Sequence, residues 1–287
     1  MRDVLTELLT LLRLERIERN LFRGNSQDLG WGRVFGGQVV GQALSAAAQT
    51  VPTDRPVHSL HGYFLRPGNA TLPVVYEVDP IRDGGTFTTR RVVAIQGGEA
   101  IFTLECSFQT VEEGFDHQDP MPAAPEPDTL LSEHQLAVLV GDRLPDVLKR
   151  VALADRPVEI RPVDPSDPLR PKKLPASRQL WYKASGPLPD DPAVHQYLLA
   201  YASDFNFLTT AMMPHGVSWV TPGLQIASLD HAMWFHRPFR FDDWLLYEVH
   251  SPSASGSRGL VFGRFFDRQG RLVASLAQEG LMRMHKP

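Results

Sequence analysis

The chain repeats itself at a fixed spacing, and this constrains its fold more than any other feature. Arg66-Pro67 returns as Arg237-Pro238, and Tyr76-Glu77-Val78 returns as Tyr247-Glu248-Val249, both at one offset in the numbering. Phe64 matches Phe235 and Gly85 matches Gly256 at the same offset, and the turn Gln96-Gly97-Gly98-Glu99 aligns with Asp267-Arg268-Gln269-Gly270. An offset held across several turns requires every intervening loop to keep its length. One supersecondary unit is therefore used twice.

Each copy reads alike. An alanine-rich helical stretch, Gly37 to Gln49, precedes strands at Leu60–Leu65, Leu72–Val78, Phe87–Ile95 and Ala100–Gln109. A second helical stretch, Ala193 to Met213, precedes strands at Leu229–His236, Trp244–His250, Gly259–Phe266 and Leu272–Met282. β-Branched and aromatic residues fill these runs, and Gly- and Pro-containing turns separate them. No helices lie between the strands, as βαβ units would need, so the expected class is α+β with antiparallel meanders.

The two copies are joined by a segment of different composition. Glu112 to Pro192 holds 14 of the 24 prolines, so Glu113–Asp155 is the expected connection between units at 10–112 and 156–287. Leu130–Val140 and Val147–Leu153 still carry apolar residues, so the connection is not simply disordered. Leu180-Trp181-Tyr182 reads as an opening strand of the second unit. At the N-terminus, Val4, Leu5, Leu8, Leu9 and Leu12 recur at helical spacing, which predicts an amphipathic helix over Met1 to Asn20.

Composition excludes several functions. The net charge of −4 gives no global pull towards nucleic acid or anionic membrane. Glu7 and Arg13 interrupt any signal-peptide core, and no apolar stretch reaches membrane-spanning length. The end His285-Lys286-Pro287 is not a peroxisomal address. With a single cysteine, Cys106, there is neither an intramolecular disulfide nor a Cys-based zinc site, and a cytoplasmic protein is expected. His58 and His61 fall on opposite strand faces, as do His231 and His236, so no metal ligation is expected. Gly30-Trp31-Gly32 begins like a dinucleotide loop, but Phe35 stands where a third glycine belongs. The nucleophile elbow, HExxH and the P-loop are absent, and no cofactor is expected.

The second copy is the more specific one. Ser228-Leu229-Asp230-His231-Ala232-Met233-Trp234-Phe235-His236-Arg237-Pro238, with Asp243-Trp244-Leu245-Leu246-Tyr247 and Ser253-Ala254-Ser255, resembles the acyl-CoA thioesterase II (TesB-like) family. Arg33-Val34-Phe35-Gly36-Gly37-Gln38 and His58-Ser59-Leu60-His61-Gly62 resemble that family's first half, so the likeness runs almost end to end. The resemblance implies two tandem hotdog domains, in each of which a long helix is wrapped by a curved antiparallel sheet. It implies hydrolysis of acyl-CoA, often of medium to long chain, to a fatty acid and CoA, by an assembly of more than one copy. It also implies a water held by Asp204, Ser228 and Gln278, the hydroxyl position often being Thr in the family.

Read without the family, these residues leave alternatives open. Alternation in the last strand puts Gln278 on one face with Leu272, Ala274, Leu276, Gly280 and Met282, where an amide must find partners or cost about 1–3 kcal/mol. Core backbone groups could supply them. The residue aligned with it in the first copy is Ser107. Asp204 could cap a fresh helical turn before Phe205–Met212. Asp230 is a rival carboxylate on the strand face of Ser228. Cys106 shares a face with Phe102, Leu104 and Phe108 and reads as a buried, inert thiol. A hotdog hydratase would resemble Asp followed five residues later by His, but Asp204 is followed by Thr209 and Asp230 by Phe235. A non-catalytic acyl-CoA binding module would need the tunnel but not the trio.

Overall fold

A computed structural model describes residues 3–30, 32–141, 144 and 146–285. Trp31, with Lys286 and Pro287, lies outside the described residues. The N-terminal helix α1 (Val4–Leu12) spans the apolar pattern but not the expected Met1–Asn20: the Asp3 carboxylate caps its start at Leu5 N–H, and the chain is extended from Arg13. After it the chain turns extended, giving β1 (Glu15–Glu18) and β2 (Leu21–Gly24). Then come α2 (Gly36–Ala48), β3 (Val57–Phe64), β4 (Val74–Asp83), β5 (Phe87–Gln96) and β6 (Glu99–Gln109). The connection holds α3 (Glu133–Val140) and α4 (Asp146–Ala152).

The second half runs β7 (Val158–Pro162), β8 (Ser177–Ala184), α5 (Pro192–Ala202), α6 (Thr209–Met212) and β9 (Leu224–Ser228). It closes with β10 (Asp230–Phe235), β11 (Leu245–Ser255), β12 (Arg258–Asp267) and β13 (Leu272–Met284). One continuous sheet is ordered β1-β2-β4-β5-β6-β3-β10-β13-β12-β11-β8-β7, with β9 beside β13. Read outwards from the central β3–β10 pair, the two halves mirror each other strand for strand. The chain is two tandem hotdog units sharing one antiparallel sheet. Among the described residues, no helix is long and apolar enough to cross a membrane.

The repeat is visible at the level of single side chains. Val74, Tyr76 and Val78 are buried on β4, and their counterparts at the repeat offset, Leu245, Tyr247 and Val249, are buried on β11. Thr88, Arg90, Val92 and Ala94 on β5 correspond in the same way to Gly259, Val261, Gly263 and Phe265 on β12.

The next turn breaks the offset. Gln96 pairs with Glu99 across Gly97 and Gly98, both at positive φ, which is a two-residue hairpin. The matching turn is one residue longer: Phe266 pairs with Leu272, and the Asp267 carboxylate accepts from Gln269 and Arg271 N–H inside it. From there the offset is larger by one. Arg90 pairs with Cys106, whereas Val261 pairs with Gln278. The counterpart of Gln278 is thus Cys106, not Ser107, because a one-residue slip moves every side chain to the other face.

Helices α2 and α5 pack together inside the sheet. Every residue of α2 from Gly37 to Ala47 is buried, on both faces, which its small side chains allow. A Cβ at Gly37 would stand 2.1 Å from the Tyr201 carbonyl oxygen, and one at Gly41 would stand 3.1 Å from that of Tyr197. These glycines set the approach of α2 to α5 and bring the start of α2 against the end of α5.

Candidate active site

The expected helix from Ala193 to Met213 is interrupted where α5 ends at Ala202. Residues 203–208 form turns, with Asn206 at φ 60, before α6 begins. Asp204 stands in this break and does not cap a helix; its carboxylate faces out of the turn towards α2 and the sheet. The break is held from both sides. The Tyr182 hydroxyl donates to Phe205 O at 2.9 Å and the Tyr247 hydroxyl to Ser203 O at 3.1 Å. Close approach to β13 is possible because position 280 is glycine: a Cβ there would meet Leu208 at 2.4 Å.

The three residues singled out by the sequence converge, although they lie on the α5 break, on β9 and on β13. Ser228 Oγ donates to Asp204 Oδ1 at 3.3 Å. Gln278 Nε2 donates to Asp204 Oδ1 at 3.2 Å and to Ser228 Oγ at 2.9 Å. The first half contributes too, since Gly37 N–H donates to Asp204 Oδ2 at 3.1 Å. The positive end of the α2 dipole therefore faces the carboxylate. A Cβ on Gly36 would lie 2.6 Å from Asp204 Oδ2, so glycine is needed there for the close approach. Phe35 stacks on Phe205 at 4.3 Å and Phe64 reaches Gly36, giving the cluster an aromatic wall.

Asp204 and Ser228 are half-buried, whereas Gln278 is 1% exposed. The amide finds its partners in the carboxylate and hydroxyl, not in core backbone groups. Its other end, Oε1, lies 2.6 Å from Nδ1 of the fully buried His231, whose Nε2 is 3.0 Å from Ser203 Oγ. Asp230, the rival carboxylate, is not part of this cluster: its Oδ1 accepts from Glu279 N–H and ties β10 to β13. Sequence reasoning missed Gly36, Gly37 and His231. The double glycine at the start of a helix was the one available signal for the first two. Cys106 is buried and free, and burial pushes its thiol well above the usual range.

A carboxylate bonded to a hydroxyl, an amide and a helix N-terminus thus stands at the junction of the two hotdog units. Comparison with known proteins identifies the family. The "Acyl-CoA thioesterase" family profile matches residues 147–281, and the "Acyl-CoA thioesterase N-terminal domain" profile matches 26–109. The chain is 44% identical to "Acyl-CoA thioesterase 2" of Haemophilus influenzae, over 99% of each. It is 42% identical to human "Acyl-coenzyme A thioesterase 8", covering 96% of this chain and 88% of the relative. Among solved structures, "Acyl-CoA thioesterase II TesB2" from Mycobacterium marinum superimposes with a TM-score of 0.78 at 44% identity, over 97% of this chain and 99% of that one. The chain belongs to the acyl-CoA thioesterase II (TesB-like) family.

Proposed function

We propose that this chain hydrolyses acyl-CoA thioesters to a free acid and CoA, using a water held by Asp204, Ser228 and Gln278. The observation that carries the reading is the convergence of Ser228 and Gln278, remote from each other in sequence, on one oxygen of the Asp204 carboxylate within 3.3 Å. A thioester carbonyl is electrophilic enough for a positioned water to attack. The Asp204 carboxylate takes the water's proton as the carbon–oxygen bond forms, a role worth ~10²–10⁴-fold. The Ser228 hydroxyl and the Gln278 amide fix the direction of attack. Collapse of the tetrahedral intermediate expels the CoA thiolate. The partial positive charge at the start of α2 favours the negative charge that develops beside it.

The substrate class we favour is fatty acyl-CoA of medium to long chain, in keeping with the aromatic wall of Phe35, Phe64 and Phe205. Free-thiol detection of released CoA across acyl lengths tests this. No release at any length would leave only a binding module, and a preference for the shortest acyl groups would remove the chain-length reading. We divide the chain into units at 10–112 and 156–287 with a connection at 113–155. Strands β1–β6 fall in the first unit, β7–β13 in the second, and α3 and α4 between them.

We also propose a homo-oligomer. Tyr63, Trp234 and Phe262 stand on the side of the sheet away from the helices, and each is more than a third exposed. Light scattering at micromolar concentration would show a dimer or larger, and a monomer would overturn this.

A further inference from the structure

Gln278 is the one member of the trio with two chemically different ends, and only one of them serves the carboxylate. Turned over, the amide would set its oxygen against Asp204 Oδ1, two acceptors facing each other at hydrogen-bond distance. We propose that His231 is a positioning residue for the reaction. Its Nδ1–H holds Gln278 Oε1 and so keeps Gln278 Nε2 on Asp204 and Ser228. The inference rests on the assignment of the trio above.

The proton on His231 follows from the partners. Asp204 only accepts, so Gln278 presents Nε2 to it and Oε1 to His231. Oε1 also only accepts, so the hydrogen is on Nδ1, 2.6 Å away. In the neutral imidazole, Nε2 is then an acceptor facing Ser203 Oγ at 3.0 Å. The single Ser203 hydroxyl hydrogen has both this nitrogen and Ala200 O, 2.9 Å away, as acceptors. Ser203 is the residue before Asp204, so the chain of contacts closes on itself: Asp204, Gln278, His231, Ser203 and back through one peptide bond. His231 and Ser203 are fully buried, and Phe207 walls the imidazole with its ring centroid at 5.9 Å. Water does not compete for these bonds.

The first half shows that the fold itself does not ask for this pair. Leu60 stands at the position that His231 holds in the second copy, and it pairs with Cys106, the counterpart of Gln278. There the same two strands close over an apolar pair.

Steady-state kinetics on acyl-CoA, with a thermal melt of each variant, test the role. His231→Asn keeps a donor the same number of bonds from Cα as Nδ1. His231→Gln carries its amide out to the reach of Nε2 and leaves Gln278 Oε1 without a donor. His231→Gln is expected to lower kcat about tenfold or more with little change in KM, because the water and not the substrate is misplaced. His231→Asn restores most of the loss. In a Gln278→Ala background, His231→Gln costs nothing further in kcat.

Equal activity in the Asn and Gln variants, whether both normal or both impaired, overturns the role, as do losses that multiply with Gln278→Ala. If neither His231 variant folds, Ser203→Ala decides: a lowered kcat that vanishes in the Gln278→Ala background supports the relay, and an unchanged kcat overturns it. Wild-type kcat in Gln278→Ala alone would instead bring down the trio. A normal His231→Gln beside an impaired Gln278→Ala brings down only the histidine.

Discussion

The two halves of this protein share a sheet, a strand order and a buried pattern, yet only one of them holds the carboxylate, hydroxyl and amide cluster. In the second half, the second residue past the helix is Asp204, with Ser228, His231 and Gln278 around it. In the first half, the second residue past the helix is Thr50, and the counterparts of the others are Val57, Leu60 and Cys106. Val57 pairs with Phe108 as Ser228 pairs with Gly280. One polar group does reach the first half's helix end. Arg90, 3% exposed, donates through Nε to Thr50 Oγ1 at 2.8 Å and through an Nη to Thr50 O at 3.0 Å, and ion-pairs with Asp83 at 2.7 Å. A guanidinium with its partners in place locks that helix end. At the other helix end a half-buried carboxylate held by neutral donors takes that place. The duplicated scaffold tolerates either arrangement because the strands need only a buried side chain of suitable volume at these positions.

The sharpest break between the halves is expected at Asp204. Asp204→Asn keeps the shape, removes the base and should lower kcat by ~10²–10⁴-fold with a much smaller effect on KM. Asp230→Asn should be mild in kcat, since its carboxylate bonds the β13 backbone. Loss of turnover in Asp230→Asn with near-normal Asp204→Asn would reverse the assignment. Ser228→Ala makes the second half resemble the first at that position. One neutral hydrogen bond is worth about 0.5–1.5 kcal/mol, so kcat should fall only severalfold.

The converse experiment works on the first half. Arg90→Leu strips the guanidinium from Thr50 and Asp83. Asp83 is mostly exposed and is not left as a buried charge. The loss should be about 1–2 kcal/mol of stability from the hydrogen bonds at Thr50, read by urea unfolding. Turnover per folded molecule should stay unchanged, and a large drop in it would mean that the two helix ends communicate.

The smallest effect concerns acid. His195 is buried on α5, and its Nδ1 accepts from Phe241 N–H at 3.0 Å. Burial first, and then the Arg240 guanidinium, hold its imidazole below the usual 6.5. The unfolded chain therefore binds this proton more readily than the folded one. The contribution to stability is complete above about pH 6.5 and is lost as pH falls below it. His195→Asn keeps an acceptor for Phe241 and should flatten the change in unfolding free energy between pH 7 and pH 5. An unchanged slope would assign the acid sensitivity to other groups.

The duplicated α+β fold was legible in the chain because burial leaves a period-two signature on strands and a composition signature on helices, and both recur in the second copy, the strands at an offset that changes by only one residue. The trio was legible only through the family's motifs. Taken alone, Asp204 read as a helix cap and Gln278 as a satisfied core amide. The helix was expected to run on to Met213, because Tyr201, Phe205, Phe207 and Leu208 suit a helix as well as a turn. Their contacts with Tyr182, Tyr247 and Gly280 decide between the two.

The local sequence determined which residues are buried and in which kind of element. It did not determine which buried residues meet, and one extra residue in the Asp267–Arg271 turn was enough to move the counterpart of Gln278 from Ser107 to Cys106. Only the tertiary structure could bring Gly37, Asp204, Ser228, His231 and Gln278 together. Contact between residues remote in the chain depends on strand register and helix approach, and those are set by the packing of the whole core.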